Sequence, residues 1–380
     1  MGKRFEVLDS FRGLAAIFII LTHMQYINGI NNLTFFQNAS VFVEFFFILS
    51  GFVMTHSYAF KQDLKFKNFL ISRIFRLMPL HLTMFGVFFA IESIKLLAYH
   101  KGISFTNIPF EGNQAVREIL PNILLLQAWL PTFTVTSFNA PSWSISIEFY
   151  IYIIFFITLL AKNQNRTLIW FIVSVIAFAL LINNYEKANA ILRGLSSFFA
   201  GSLTYLIYIK LGENSSNFKK YFVILELILI PVIVFLVISD FEDKSVILSL
   251  IFCVTVFTFS YEYGYVSKIL KYSLFQIIGK LSYSIYLVHY SVLAIFMSIL
   301  IVVQKLSGVQ MTFMVDGLRY IDFGSVYLNN LSVLTTIVVV ISISTFTYKY
   351  IEQKGQELGR KVLRDKKSSS LKNAQYEGVQ

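Results

Sequence analysis

Arg12 and His23 lie in the apolar run 11–29, eleven residues apart. At 100° per residue they return to within about 20° of one helical face, three turns and roughly 16 Å apart. A guanidinium and an imidazole on one stripe of an apolar helix are costly inside a membrane, so they are expected to face a cavity or a partner. Histidine can accept and return a proton near neutral pH. The reading equally open here is an imidazole bonded to a neighbouring helix.

Other residues could share that chemistry. Glu44 stands near the start of the run 39–60, at a depth overlapping His23, and as a carboxylate could orient or charge the imidazole. Ser142, Ser144 and Glu148 occupy the mouth of the run 142–161, with Ser144 and Glu148 one turn apart on one face. A glutamate one turn into an apolar span must be paired, hydrated or protonated. Tyr286 and His289 are neighbours in the run 274–303, either a second acid/base or a helix-to-helix hydrogen bond. Arg73 and Arg76 lie one turn apart just before Pro79. The planar fork of arginine suits phosphate, so the pair could clamp an acyl-CoA, although inner loops also carry arginines for topology alone. Tyr348 and Glu352 share a face at the end of the last run, and His56, His81 and His100 read as incidental. There is no histidine pair at i, i+4, no glycine-rich phosphate loop and no GxSxG, and Cys253 is the single cysteine. Neither a metal site nor a disulfide framework is therefore expected.

The elements that must position these residues are membrane helices. The chain has 380 residues, 56% hydrophobic and 14% charged, against about 25% charged in soluble domains. Windows of about 20 apolar residues predict an all-α polytopic bundle of ten spans: 11–29, 39–60, 77–98, 142–161, 167–183, 190–209, 221–239, 245–261, 274–303 and 329–350. With the N-terminus inside, 22 of the 32 lysines and arginines fall in inner segments and six in outer ones, so both termini are expected in the cytoplasm. The net charge of +11 is then a topology signal and not one for nucleic acid. The 40 Phe and 21 Tyr fit lipid-facing helices with aromatic ends. The outer segment 119–130 is apolar but too short to cross and reads as a re-entrant or interfacial helix. One transmembrane domain, 1–353, is expected, followed by a basic, disordered cytoplasmic tail, 354–380.

Taken in order, LDSFRGLAA with the Arg12-to-His23 spacing, FFFILSGF, the Arg73/Arg76 pair, SWSISIE, GKLSYSIYLVH and the closing Tyr348 to Glu352 resemble the acyltransferase-3 family, membrane acyltransferases that O-acetylate bacterial surface polysaccharides and similar acceptors. The resemblance covers nearly the whole chain before the tail. It implies a multi-pass protein of the bacterial inner membrane with acetyl-CoA or another acyl-CoA as co-substrate, no metal, and a saccharide acceptor of O-antigen or exopolysaccharide type, free or lipid-linked. It ties activity to Arg12, His23, Arg73 and Arg76. Many relatives carry a further soluble transferase domain behind the last span; here only a short tail follows, so transfer is expected to be completed by the membrane domain or a separate partner. A scheme consistent with this has Arg73 and Arg76 on the CoA phosphates, Arg12 guiding the donor, and His23 either deprotonating the acceptor hydroxyl or being transiently acylated, with Glu148 or Glu44 setting its state or binding the acceptor. The rival reading is a transporter or flippase for a lipid-linked sugar, which accounts for the buried polar residues but not for the inner arginine pair.

Overall fold

The computed structural model describes residues 3–102, 107–183 and 189–377. Of the expected segments, most of the outer loop 184–189 and the last three residues of the tail lie outside them. In chain order the described helices are α1 (Glu6–His23), α2 (Thr34–Gln37), α3 (Phe42–Tyr58), α4 (Phe66–His100), α5 (Ile119–Ile123), α6 (Ser142–Leu159), α7 (Asn163–Ile182), α8 (Asn189–Leu211), α9 (Lys219–Ile238), α10 (Lys244–Phe259), α11 (Tyr265–Leu270), α12 (Ser273–Ser307), α13 (Val326–Thr347) and α14 (Gln353–Glu377). The molecule is a polytopic helical bundle.

Each of the ten apolar windows falls on a helix, but eight helices among the described residues are long and apolar enough to cross a membrane. The other two windows fall on α1, whose first turns carry Glu6, Asp9 and Arg12, and on α10, which has 16 residues. Helix α7 turns Phe171, Val175 and Ile176 outward, as a helix against lipid does. The phenylalanines divide between surface and core: Phe52, Phe155, Phe198, Phe199, Phe252 and Phe259 are fully buried, more than the lipid-facing expectation allowed for.

Helices α1 and α12 form the axis of the site. They touch backbone to backbone at Gly13 and Gly279, where a methyl group on Gly13 would lie 2.6 Å from the Gly279 nitrogen. Small residues permit such close approach between membrane helices, and here it sets Arg12 against the middle of α12. The connection 119–130 is less regular than expected: five helical residues, then turns through Leu125 at φ 57°. Buried side chains hold it, with Asn122 Nδ2 donating to Ser137 Oγ (2.7 Å) and Gln127 Nε2 to Ser142 Oγ (3.2 Å).

The loop before α13 folds into an antiparallel hairpin, β1 (Thr312–Val315) and β2 (Leu318–Ile321), across Asp316 and Gly317 at φ 50° and 79°. Two positive φ values in a two-residue loop match the twist of a hairpin. It docks on the chain leaving α1, Ile321 N donating to Gln25 O (2.8 Å) and Ile27 N to Ile321 O (3.0 Å). The described part of the C-terminal segment is helical. After a π-helical turn over Tyr348–Glu352 it continues as α14, seated on α4 where Gly355 meets Pro79 and Gly359 meets Phe75. Two glycines four residues apart give a polar helix a flat face to pack with, which composition does not reveal.

Candidate active site

Five helices converge on a cavity of about 220 Å³. Helix α1 contributes Arg12, α4 contributes Arg73 and Arg76, α6 contributes Ser144, Glu148 and Tyr152, α12 contributes Ser282, Tyr283 and Tyr286, and the wall is completed by α3 from Val43 to Tyr58. Six residues singled out in the sequence, Arg12, Arg73, Arg76, Ser144, Glu148 and Tyr286, therefore meet in one place. Ser50, Tyr58, Tyr152, Ser282 and Tyr283 join them. Tyr152 could have been found, since Ser144, Glu148 and Tyr152 repeat at four-residue spacing on one face of α6.

Arg12, Arg73 and Glu148 each have partners within the bundle. Arg12 donates through Nε to Ser282 Oγ (2.7 Å) and through Nη2 to Gly279 O (3.3 Å), and pairs with Asp9 at 3.4 Å. Arg73 donates to Tyr58 OH (3.0 Å), its guanidinium 5.5 Å from the Tyr58 ring centre and 5.6 Å from that of Tyr152. Glu148 accepts from Ser50 Oγ (2.5 Å) and from Tyr152 OH. Arg76 lines the cavity together with Glu148, Tyr152 and Tyr283. Glu352, 5% exposed, accepts from Ser284 Oγ at 3.0 Å. The lining of the cavity carries three guanidiniums against one carboxylate, Glu148, an excess that suits an anionic ligand.

The histidines lie elsewhere. His23, the last residue of α1, is not among the residues lining this cavity. It stacks on His289 with ring centres 5.3 Å apart, and Tyr290 meets it edge-on at 5.6 Å. His289 donates through Nδ1 to Ile285 O (3.3 Å), and its buried Nε2 has no partner among the described residues. Tyr286 stands between the two regions: it lines the cavity, is hydrogen-bonded to Ser144 Oγ (2.8 Å), and packs against Phe46 at 5.6 Å and His289 at 6.0 Å. Ser142 serves the 119–130 connection through Gln127.

Glu44 corrects the sequence reading. It does not orient His23 but accepts from Arg193 Nε (2.7 Å) and Ser245 Oγ (2.5 Å), tying α3 to α8 and α10. A carboxylate 1% exposed needs a close counter-charge, and α8 supplies one because Gly51 and Gly201 let it press against α3. Glu148, likewise expected beside His23 or the acceptor, faces the arginines. Among the described residues no cluster of three or more His, Cys, Asp or Glu could hold a metal ion.

Fold and site together define a multi-pass membrane protein with a basic, polar cavity inside its helical bundle. The sequence profile of the acyltransferase-3 family, described as an acyltransferase domain, matches residues 5–349, and the chain belongs to that family of membrane acyltransferases. Its relatives include the acyltransferase MdmB of Streptomyces mycarofaciens, 34% identical over 134 residues, which are 34% of this chain and 32% of that protein. Protein 2 in the picA locus of Rhizobium radiobacter is 35% identical over 82 residues, 21% of this chain and 41% of that protein. The chain thus covers less than half the length of either curated relative. No solved structure matches it.

Proposed function

We propose that the protein transfers an acyl group, in the first place acetyl, from cytoplasmic acyl-CoA to a hydroxyl of a lipid-linked or cell-surface saccharide of O-antigen or exopolysaccharide type, in the bacterial inner membrane with both termini in the cytoplasm and residues 1–353 as the transfer domain. The observation that carries this reading is the meeting of Arg12, Arg73 and Arg76 at one cavity in a chain of this family. In this scheme Arg73 and Arg76 hold the donor phosphates, their forked donors matching phosphate oxygens. Arg12, held by Ser282, guides the donor arm into the bundle.

The separation of arginines from histidines fits such a donor, whose phosphates and reacting carbonyl sit at opposite ends of a long arm. Arg12 and His23 are roughly 16 Å apart along α1. With the phosphates at the arginines, the thioester extends past Tyr286 toward the histidine pair. There His23 takes the proton of the acceptor hydroxyl as its oxygen attacks the thioester carbonyl. The C–S bond breaks, and the proton is returned to the departing thiolate. A thioester is already activated, so positioning and proton removal suffice. Glu148 steadies the cavity, with Ser50 and Tyr152, as counter-charge to the arginines.

The test is release of coenzyme A from acetyl-CoA by the purified protein, with and without saccharide acceptor, joined to mass spectrometry of envelope glycans from a deletion strain. Acceptor-stimulated release and loss of an acetyl mass from a glycan are expected. No release, with altered surface display of an unacetylated glycan, would favour a flippase.

A further inference from the structure

A second cavity, of about 150 Å³, opens on the other side of Arg73 and Arg76. One wall is α4, through Ser72, Arg73, Phe75 and Arg76; the other is α14, through Gln356, Gly359, Arg360 and Leu363. The α14 residues recur at i, i+3, i+4 and i+7, one face of a helix. That face is fixed by close packing: a methyl group on Gly359 would lie 2.7 Å from Phe75 Cβ, and one on Gly355 2.7 Å from Pro79 Cγ. The seating brings Arg360 into the wall opposite Arg73 and Arg76, so three guanidiniums, an amide and a hydroxyl line a cleft with no carboxylate in its lining. Such a donor-rich wall matches phosphate oxygens. Arg73 and Arg76 belong to both cavities, so a ligand bound in the cleft has its continuation in the bundle.

We propose that the cleft between α4 and α14 is the seat of the nucleotide phosphates of the acyl donor, with Arg360 and Gln356 of the C-terminal helix completing the subsite begun by Arg73 and Arg76. The proposal rests on the donor reading above and extends it to a helix behind the matched domain. A phosphorylated ligand at a membrane face could also be an anionic lipid headgroup, so the test separates the two.

The full chain is reconstituted in nanodiscs of zwitterionic lipid, with or without anionic lipid. Steady-state transfer is measured with acetyl-CoA, with acetyl-dephospho-CoA and with an acetylated pantetheine lacking the nucleotide. Arg360→Ala is expected to raise KM for acetyl-CoA about five- to tenfold, with kcat and the KM for the pantetheine donor unchanged and Arg360→Lys intermediate. Lys361→Ala, beside it on α14 but outside the cleft lining, is expected to change neither. If Arg360→Ala and Gln356→Ala keep wild-type KM for every donor while Arg76→Ala does not, the α14 subsite is overturned and the donor reading stands. An effect of Arg360→Ala seen only with anionic lipid assigns the cleft to a headgroup and overturns the proposal. If the wild type releases no coenzyme A from acetyl-CoA, both readings fall together.

Discussion

At one end of the α1–α12 pair, Arg12 lies against Ser282 and Gly279 in a cavity it shares with Arg73, Arg76 and Glu148; at the other, His23 stacks on His289 with Tyr290 at its edge. The first region is charged and tied to carboxylates, hydroxyls and tyrosine rings. The second holds two imidazoles and an aromatic wall, and its hairpin cover, β1–β2, pins the chain just beyond His23. A cationic cavity binds anions strongly but cannot take up a proton near neutral pH, since guanidinium does not deprotonate there. An imidazole pair can exchange protons but offers a phosphate little. On the proposed function the division separates holding a donor from transferring its acyl group, and Tyr286, which lines the cavity and packs on His289, joins the halves.

The strongest way to break that division is His23→Ala. If the histidine end does chemistry alone, kcat falls by about 10²–10⁴-fold, KM for acetyl-CoA stays within twofold, and the protein is made at its normal level. A kcat within a factor of ten of wild type would place the chemistry elsewhere.

Next in size is Glu44→Gln, which asks whether this buried carboxylate belongs to the frame or to the histidines. Arg193 would lose its counter-charge at 2.7 Å, and about 3 kcal/mol of stability is expected to go, the low end for a buried pair because 23% of the Arg193 side chain is exposed. Thermal unfolding of the detergent-solubilised protein reads this. Lost activity in a protein of unchanged melting temperature would return Glu44 to the reaction.

Arg73→Ala and Arg76→Ala probe the other region. Removing a charge-assisted hydrogen bond costs about 1.5–3 kcal/mol, roughly ten- to a hundredfold in affinity. KM for acetyl-CoA is expected to rise by that factor at constant kcat, and lysine to rescue only in part, since it keeps the charge and loses the fork. A lysine variant with wild-type KM would leave the arginines a topological role only. The smallest effect belongs to Tyr286→Phe, which removes the hydrogen bond to Ser144 and keeps the ring against Phe46 and His289. A neutral hydrogen bond contributes about 0.5–1.5 kcal/mol, so a drop in kcat of about two- to tenfold is expected. A larger loss would make the hydroxyl a participant in transfer.

What the sequence disclosed, and what it withheld, follows from the range of the physics involved. Apolar windows found the helices because burial in lipid is a local requirement, met within one run of residues. Arg12, Arg73, Arg76 and Glu148 stood out because a charged side chain beside an apolar run needs a reason. Helical spacing gives a direction around an axis but no partner on another helix, so it could not show that Glu44 meets Arg193 or that His23 meets His289. The hairpin could have been read, since Asp316-Gly317 between TFMV and LRYI is a strong two-residue turn signal, but windows of about 20 apolar residues pass over strands of four. The packing of α14 was partly legible in Gly355 and Gly359, whereas the π-turn before it left no trace in residue type.

That π-turn has a rotational consequence. In a continuous α-helix each residue advances the face by 100°, so the turn over Tyr348–Glu352 sets the phase at which α14 leaves α13. In this phase Glu352 points to Ser284, and Gly355 and Gly359 point to Pro79 and Phe75. Were the same residues to run on in regular α geometry, without the wider turn, everything downstream would be turned by about 100°. The glycines would swing off α4, and Arg360 would leave the wall it shares with Arg73 and Arg76. The orientation of the last helix is thus carried by a single irregular turn, and the loss of that turn would act at a distance, like a key cut one notch out of step.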